Sequence, residues 1–511
     1  MRDRQLPESV YNWTSVVGVA VAVASFCIIV LLLLIDAFVD ATTAYLGLLT
    51  FIVLPIFVCL GLVLIAVGML IERRRLQRGA HGHFRPELNI DLRNSRHRRA
   101  VAIFTGVTGV FLMATAVGSY NAYQETESVE FCGAICHVMH PEFTAYQSSP
   151  HAHVSCAECH IGAGAGWYVQ SKLSGAYQVY SVLAEKYPRP IPTPVHNLRP
   201  ARETCEHCHW PDQFFGARMM VNQHFLGDEQ NTPHPISLLL KVGGPASSRS
   251  GSAARPHDSG DEGIHWHVSE ANRIDYAATD DRRLDIAWVK LTDELGQTKE
   301  WTLDGEPVDQ EVLDGSELRT MDCIDCHNRP SHNYRSPTKL VNQAIADGRI
   351  DRRLPFIKRE AVTCLDDEYE TTSEALSSID EHLRTFYADE YPEVVEDQAS
   401  MLDAAITSVQ GIFQQSLFPE MKVTWRDYPD HVGHSESIGC FRCHGSDLTT
   451  AAGEQISKDC SMCHSILAQG SGPGADSIAP SGLVFEHPVD IYGEELETNC
   501  TECHEGGAEI Y

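Results

Sequence analysis

Positive charge is scarce in this chain. Lysine and arginine number 39 against 69 aspartates and glutamates, giving a net charge of −30 at pH 7. So acidic a net balance argues against nucleic acid as a partner. Spare cysteine is scarce as well. Fourteen of the 17 cysteines fall inside one recurring motif, leaving Cys27, Cys59 and Cys364. Cys27 and Cys59 lie in apolar runs and read as apolar filling, and Cys364 suggests no role. A disulfide framework would not place histidine after every second cysteine. A zinc site would draw its cysteines together in fours, without an obligatory following histidine.

What is present is Cys-x-x-Cys-His, six times. The copies begin at Cys156, Cys205, Cys323, Cys440, Cys460 and Cys500, with second cysteines Cys159, Cys208, Cys326, Cys443, Cys463 and Cys503. The following histidines are His160, His209, His327, His444, His464 and His504. A seventh copy, Cys132-Gly-Ala-Ile-Cys136-His137, is stretched by one residue. Each reads as a c-type haem attachment site, with two thiols for the porphyrin and a histidine for the iron. Seven covalent haems are expected, the stretched site being the one with an irregular spacing. A chain with seven such sites is expected to move electrons.

The first 121 residues have a different chemistry. Apolar runs at about 14–35, 44–71 and 101–120 each suffice to span a bilayer. Pro55 is expected to kink the second. No small-x-small cleavage site follows the first run, and two more spans succeed it, which disfavours a signal peptide. Residues 72–99 carry nine arginines and residues 36–43 none. The positive-inside rule puts the arginine loop and the N-terminus in the cytoplasm. All seven motifs then lie on the periplasmic side of a bacterial inner membrane.

The expected fold is mixed and haem-dominated. Three N-terminal transmembrane helices precede a multihaem cytochrome c domain with little regular structure, a small antiparallel sheet and a helical connector. The expected divisions are a membrane anchor at 1–121, a three-haem region at 122–245 and a flexible loop at 246–260. A β meander carrying the fourth motif follows at 261–338, with strand-like alternation beginning at Gly263-Ile-His-Trp-His-Val. A helical connector at 339–430, broken near Tyr391-Pro392, leads to a C-terminal three-haem region at 431–511.

Histidine supply exceeds demand. After residue 121 there are 22 histidines, seven of them in motifs, leaving 15 for distal positions. Pattern singles out His265 and His267, placed on one face if their segment is a strand. It also singles out His332, five residues after His327, and His151, His153, His431, His434 and His487, which precede motifs. Each could instead bond a propionate or face water. Met139, two residues after His137, is either a thioether ligand or an apolar filler.

Residues 131–216 resemble the NapC/NirT family of membrane-anchored quinol-oxidising cytochromes. The resemblance rests on Cys-His-x-Met at 136–139, Ser-x-x-His near 148–151 and Cys-Ala-Glu-Cys-His-Ile-Gly at 156–162. Lys172, Arg-Pro-Ile at 189–191, Leu-Arg-Pro-Ala at 198–201 and Cys-His-Trp-Pro at 208–211 also match. Later segments, Gly-Ile-His-Trp-His-Val and Cys-His-Asn-Arg-Pro-Ser-His among them, are similar to the longer multihaem branch. The resemblance implies Met139 rather than His137 as a ligand of the first iron. It implies a quinol site near Lys172, with Gln178 as a second donor. The family's usual nearby carboxylate is not at Gln178, and Glu142 is the substitute. The fifth motif lacks a histidine just after it, in Cys-His-Gly-Ser-Asp-Leu448, so its distal ligand comes from elsewhere.

The expected function is quinol or menaquinol oxidation, with electrons passed along the haem chain to periplasmic acceptors in anaerobic or extracellular respiration. Basic periplasmic cytochromes suit an outer domain of net charge −34, from 28 basic and 62 acidic residues beyond position 100. One alternative is a terminal reductase holding a small substrate such as nitrite at a five-coordinate haem. Another is an anchor and electron-transfer subunit of a larger respiratory complex.

Overall fold

The computed structural model describes residues 12–38, 54–77, 92–161, 165–194, 200–209, 216–243, 263–269, 271–308, 310–471, 477–494 and 498–508. The expected loop at 246–260 lies outside them, as do residues 78–91 of the arginine-rich loop. The chain divides into two units, residues 1–135 and 136–511.

In the first unit, helices Trp13–Phe38, Leu54–Gln77 and Ser95–Thr126 are long and apolar enough to cross a membrane. Pro55 is the second described residue of the second helix, so the expected kink falls at the edge of the described part. Residues 44–53 of that run lie outside the described part. The first two helices cross through glycine. A Cβ on Gly18 would stand 2.6 Å from the Gly61 carbonyl oxygen, and one on Gly61 would stand 2.7 Å from the Gly18 oxygen. Such small-residue crossings pack helices where lipid supplies no hydrophobic drive. Phe26 meets Phe111 edge to face at 4.6 Å, tying in the third helix. That helix begins at Asn94, whose side chain accepts from the Arg96 amide at 3.0 Å. Residues Phe131–Ile135 form a π turn around Cys132. The wider turn absorbs the extra residue of the stretched motif.

In the second unit, a helical layer spans Pro337–Ala346, Ile357–Asp366, Thr372–Glu390, Pro392–Asp397 and Ala399–Ser416. Ser336 and Thr371 cap two of these helices by accepting from the Lys339 and Glu374 amides. Ala375, Ile379, Leu383 and Tyr387 recur every four residues and are fully buried against Leu402, Ile406, Val409 and Phe413.

Two antiparallel sheets carry motifs at their margins. Strands β1 (Arg218–Asn222) and β2 (Ile236–Leu240) pair with the late strand β8 (His464–Gln469), in the order β1-β2-β8. The first residue of β8 is a motif histidine, opposite Leu240. The larger sheet has the order β6-β3-β4-β5-β7, from β3 (Arg273–Ala278), β4 (Ile286–Thr292), β5 (Thr298–Leu303), β6 (Glu317–Thr320) and β7 (Leu448–Thr449). Its core is Ile274, Tyr276, Ile286, Val289, Trp301 and Leu448. Strand β6 leads into the fourth motif, and β7 follows the fifth.

The expected strand at 263–268 is a 3₁₀ helix, Ile264–Val268. The amides of Ile264 and His265 donate to Lys241 and Gly243, and that of Trp266 donates to Gly263. A Cβ on Gly263 would stand 2.3 Å from the Gly243 oxygen, so only glycine allows this approach. The segment turns on itself instead of joining the sheet edge.

One ion pair in the helical layer gives a pH dependence. His382 Nε2 lies 2.9 Å from Glu360 Oε2. Hydrogen bonding to the Cys364 thiol and to Glu360 raises the His382 pKa to about 10. Burial pushes Glu360 up, but hydrogen bonds from His382 and Arg359 more than offset it and hold the carboxyl below its ordinary value. Because the folded pKa of His382 exceeds its ordinary 6.5, the pair's stabilisation is full below that pH and fades as pH rises through about 10. Denaturation midpoints measured from pH 6 to pH 10.5 are expected to fall for the native protein. His382→Gln should flatten that slope, and equal slopes would remove the role assigned to this pair.

Candidate functional site

Each regular motif is built on a single turn. Residues Cys156–His160 and Cys323–Cys326 are α-helical, and Gly439–Arg442, Cys460–Met462 and Cys500–Glu502 are 3₁₀ turns. A turn of this kind puts residues three apart on one side, so both thiols of a motif project together. The amides of His209, His327, His444 and His504 donate back to the first cysteine's carbonyl of their motif at 2.7–3.1 Å. Caps hold the turns in place. Asp322 accepts from Ile324 and Asp459 from Ser461, while Asn499 forms a reciprocal box with Glu502.

Six motif histidines each face a second imidazole. The ring centroids are 6.2 Å apart for His160–His332, 6.0 Å for His209–His151 and 6.2 Å for His327–His265. They are 5.7 Å apart for His444–His267, 6.2 Å for His464–His434 and 5.9 Å for His504–His487. Two metal–imidazole bonds of about 2.0–2.1 Å, plus the depth of each ring, span about 6 Å. The six gaps fit one iron apiece. Interplanar angles differ: 14° and 16° for His327–His265 and His464–His434, but 76° and 78° for His209–His151 and His444–His267.

The outward nitrogens carry a second mark of ligation. Nδ1 of His151 faces the Pro330 carbonyl at 3.1 Å, that of His332 faces Glu142 at 3.0 Å, and that of His265 faces Val242. His267, His444 and His487 face Ile264, Ser457 and Val489 at 2.7–2.8 Å. An Nδ1–H donating to a carbonyl leaves the Nε2 lone pair for a metal and fixes the ring. The sixth pair differs, since Nδ1 of both His434 and His464 is buried without a hydrogen-bond partner among the described residues. Burial pushes His332 down to about 4 and lowers His160, His267, His327, His434 and His464. These rings are neutral near pH 7, the form that binds metal. The residues present fit haem c.

Cysteines of successive motifs lie within electrostatic reach of one another. Cys159 senses Cys208, and Cys205 hydrogen-bonds Cys323. Cys326 senses Cys440 and Cys443, Cys463 senses Cys440, and Cys500 senses Cys460. The second to seventh motifs therefore neighbour one another in sequence order.

Other candidates are placed differently. His431 is buried, with Nδ1 and Nε2 each 3.1 Å from a backbone carbonyl, those of Asp325 and Arg282. Neither nitrogen faces a gap, which corrects its reading as a distal ligand. His153 is exposed and meets no second imidazole among the ring contacts described. Met139 is half-buried in the turn His137–Met139, and the side chain of His137 lies outside the described part. Glu142 is raised by burial, beside Arg329 and Tyr334, and its carbonyl is the acceptor for His332. Lys172 and Gln178 share the helix Ala165–Leu183. Along that helix Val169, Leu173, Tyr177, Tyr180 and Leu183 form an exposed apolar stripe.

Sequence reasoning missed the cluster inside the fourth motif. Asp325, between the two cysteines, is fully buried. It accepts from Tyr276 at 2.6 Å, Arg319 at 2.9 Å and the Asp322 amide at 2.7 Å. Arg283 lies 3.5 Å away, and Arg442 of the fifth motif donates to the Asp325 carbonyl at 2.7 Å. An acidic residue between the cysteines was no signal for it, since Glu158, Glu206 and Glu502 occupy such places too.

The family description of the N-terminal region of NapC/NirT cytochromes c matches residues 94–190. Over 513 aligned residues, all of this chain and 98% of the relative, the sequence is 39% identical to the cytochrome c-type protein ImcH of Geobacter sulfurreducens. No solved structure matches.

Proposed function

This chain belongs to the NapC/NirT cytochrome c family, and on that premise we propose that it takes electrons from membrane quinol and delivers them through seven haems to acceptors outside the cytoplasm. The observation that carries the reading is the set of six imidazole pairs, each built on one motif histidine. Bound haem iron supplies the one-electron redox chemistry.

The protein's residues do the rest. His332, His151, His265, His267, His434 and His487 serve as distal ligands for the second to seventh motifs in turn. Two side chains per iron leave no open position for a small substrate at these six sites, which disfavours a terminal reductase. Met139 serves the first motif. The sequence-ordered cysteine neighbours support a single-file route. On the membrane side, the apolar stripe of Ala165–Leu183 suits the headgroup level, with tyrosines at its polar edge. Lys172 and Gln178 would donate to the quinone oxygens. Glu142, already raised by burial, would accept one of the quinol's two protons, the other passing to water outside the membrane, as two electrons leave in succession. The arginine-rich loop 72–99 supports a cytoplasmic N-terminus and a periplasmic haem domain.

The test is reduction of the purified protein in detergent by a quinol analogue, followed in the haem absorption bands. Intact mass should first show seven haem additions, and six would remove the site at Cys132 and Cys136. Lys172→Ala is expected to slow quinol-driven reduction about tenfold or more, since a hydrogen bond from a charged group is worth about 1.5–3 kcal/mol. Reduction by dithionite should be unaffected. An unchanged quinol rate would take Lys172 out of the site, and a native protein inert to quinol would end the reading.

A further inference from the structure

One short turn supplies the distal imidazoles of two neighbouring sites. In a 3₁₀ helix each residue advances by a third of a turn, so residues two apart point in different directions. His265 and His267, in Ile264–Val268, accordingly face different partners, His327 at 6.2 Å and His444 at 5.7 Å. The fourth and fifth motifs are themselves adjacent, with Cys326 near Cys440 and Cys443.

Trp266 stands between the two histidines. Of the turn's five residues, it is the one that packs against the core of the larger sheet, formed by Ile274, Tyr276 and their neighbours. Its ring meets His267 edge to face at 5.7 Å. Its carbonyl accepts from the Ser269 amide at 3.2 Å and from Asn272 Nδ2 at 3.3 Å. Without the indole, the turn keeps its backbone bonding to 241–243, the Ser269 and Asn272 bonds to the Trp266 carbonyl, the Arg202 bond to the Val268 carbonyl and the two histidines' own bonds to carbonyls. Those bonds are all polar, and the indole is what seats the turn against the apolar core of the sheet.

We propose that Trp266 is a positioning residue that aims both distal histidines at once, so that the fourth and fifth haem sites form one mechanically linked pair. The proposal rests on His265 and His267 being ligands. It binds no substrate and touches no quinol. It makes coordination at two sites stand or fall together.

The ring angles make the two sites separately readable. Near-parallel axial imidazoles, as at 14° for His327–His265, give a rhombic low-spin ferric signal in electron paramagnetic resonance. Near-perpendicular ones, as at 78° for His444–His267, give a strongly anisotropic signal. The experiment uses the full-length, fully haem-loaded protein in detergent, with haem content checked by mass. His265→Ala should remove one rhombic signal, and His267→Ala one anisotropic signal. Trp266→Ala should weaken one of each kind together and add high-spin intensity from two haems, while Trp266→Phe keeps most of both. Should Trp266→Ala not accumulate, Trp266→Leu keeps an apolar anchor of the wrong shape and reads the same two signals. Loss of one kind alone, or an unchanged spectrum in the Ala and Leu variants, overturns the linked pair. If the histidine variants themselves leave the spectrum intact, the ligand assignment fails first and the proposal falls with it.

Discussion

Asp325→Ala is expected to destabilise the haem domain by about 3–5 kcal/mol, the usual cost of removing one partner from a buried charge cluster. Asp325 is 1% exposed, and its carboxylate is held by Arg319, Tyr276 and the Asp322 amide. Its removal leaves the Arg283 side chain, itself only 7% exposed, with Glu317 as its remaining carboxylate partner. It also undoes the box that caps the turn of the fourth motif. Tyr276 is raised by burial and by the nearby carboxylate, so it stays protonated and donates across the physiological range. Asp325→Asn keeps the shape but not the charge and should cost less, about 1.5–3 kcal/mol. Guanidinium titrations followed by circular dichroism, on samples of equal haem content, measure both. A loss under about 1 kcal/mol for the alanine variant would show that the arginines find other partners and that the cluster is not the keystone of this motif.

Electron transfer to a lysine-rich soluble cytochrome should slow about 100-fold or more between low and high salt. Beyond position 100 the chain carries 28 basic and 62 acidic residues. Around the seventh motif Glu494, Glu502 and Glu505 are exposed, beside the bare apolar side chains of Val484, Val489 and Tyr492. Glu495 and Glu497 lie outside the described residues. Exposed carboxylates and exposed apolar side chains in one stretch suit a cationic partner. Steering of this kind separates encounter rates of about 10⁸–10⁹ M⁻¹s⁻¹ at low salt from about 10⁵–10⁶ without it. The Debye length shrinks from about 30 Å at 0.01 M to about 3 Å at 1 M, so the effect has room to vanish. Stopped-flow transfer across that range decides the matter. A flat rate would point to a partner recognised by shape, or to acidity that serves solubility alone.

What could be read from the chain followed from how local each signal is. Three apolar runs and six Cys-x-x-Cys-His turns are complete within a few residues, because membrane thickness and covalent haem chemistry act at that scale. The partner of each motif histidine is not local. His332 follows the fourth motif by five residues, yet its ring faces His160 of the second. The fifth motif's missing neighbour is His267, far upstream. The alternation at 263–268 suggested a strand, but close backbone contact with Gly243 through Gly263 folds it into a 3₁₀ turn. The small sheet's third strand, His464–Gln469, pairs with Ile236–Leu240 across most of the haem domain, a register that no short window contains. Nothing local marked Asp325, since Glu158, Glu206 and Glu502 also stand between motif cysteines, and its partners Tyr276, Arg283 and Arg319 come from strands or turns upstream.

The imidazole pairs also bear on how the chain reaches its native form. Their spans interleave: His151–His209 overlaps His160–His332, which encloses His265–His327, while His267–His444 reaches past both. Iron bridging such pairs would act as a set of long-range staples, narrowing the unfolded ensemble as crossed disulfides do, at a closure entropy that grows only slowly with span. Assembly then has a direction. The second site stays incomplete until residue 332 has been made, whereas the fifth finds its partner, His267, already in place when its own motif is made. His434–His464 is short but crossed by His267–His444, whereas His487–His504 is short and uncrossed, so the seventh site alone of these six can close by itself. A chain truncated before His332 would leave the second motif's haem with one imidazole, a half-ligated species near its N-terminal end.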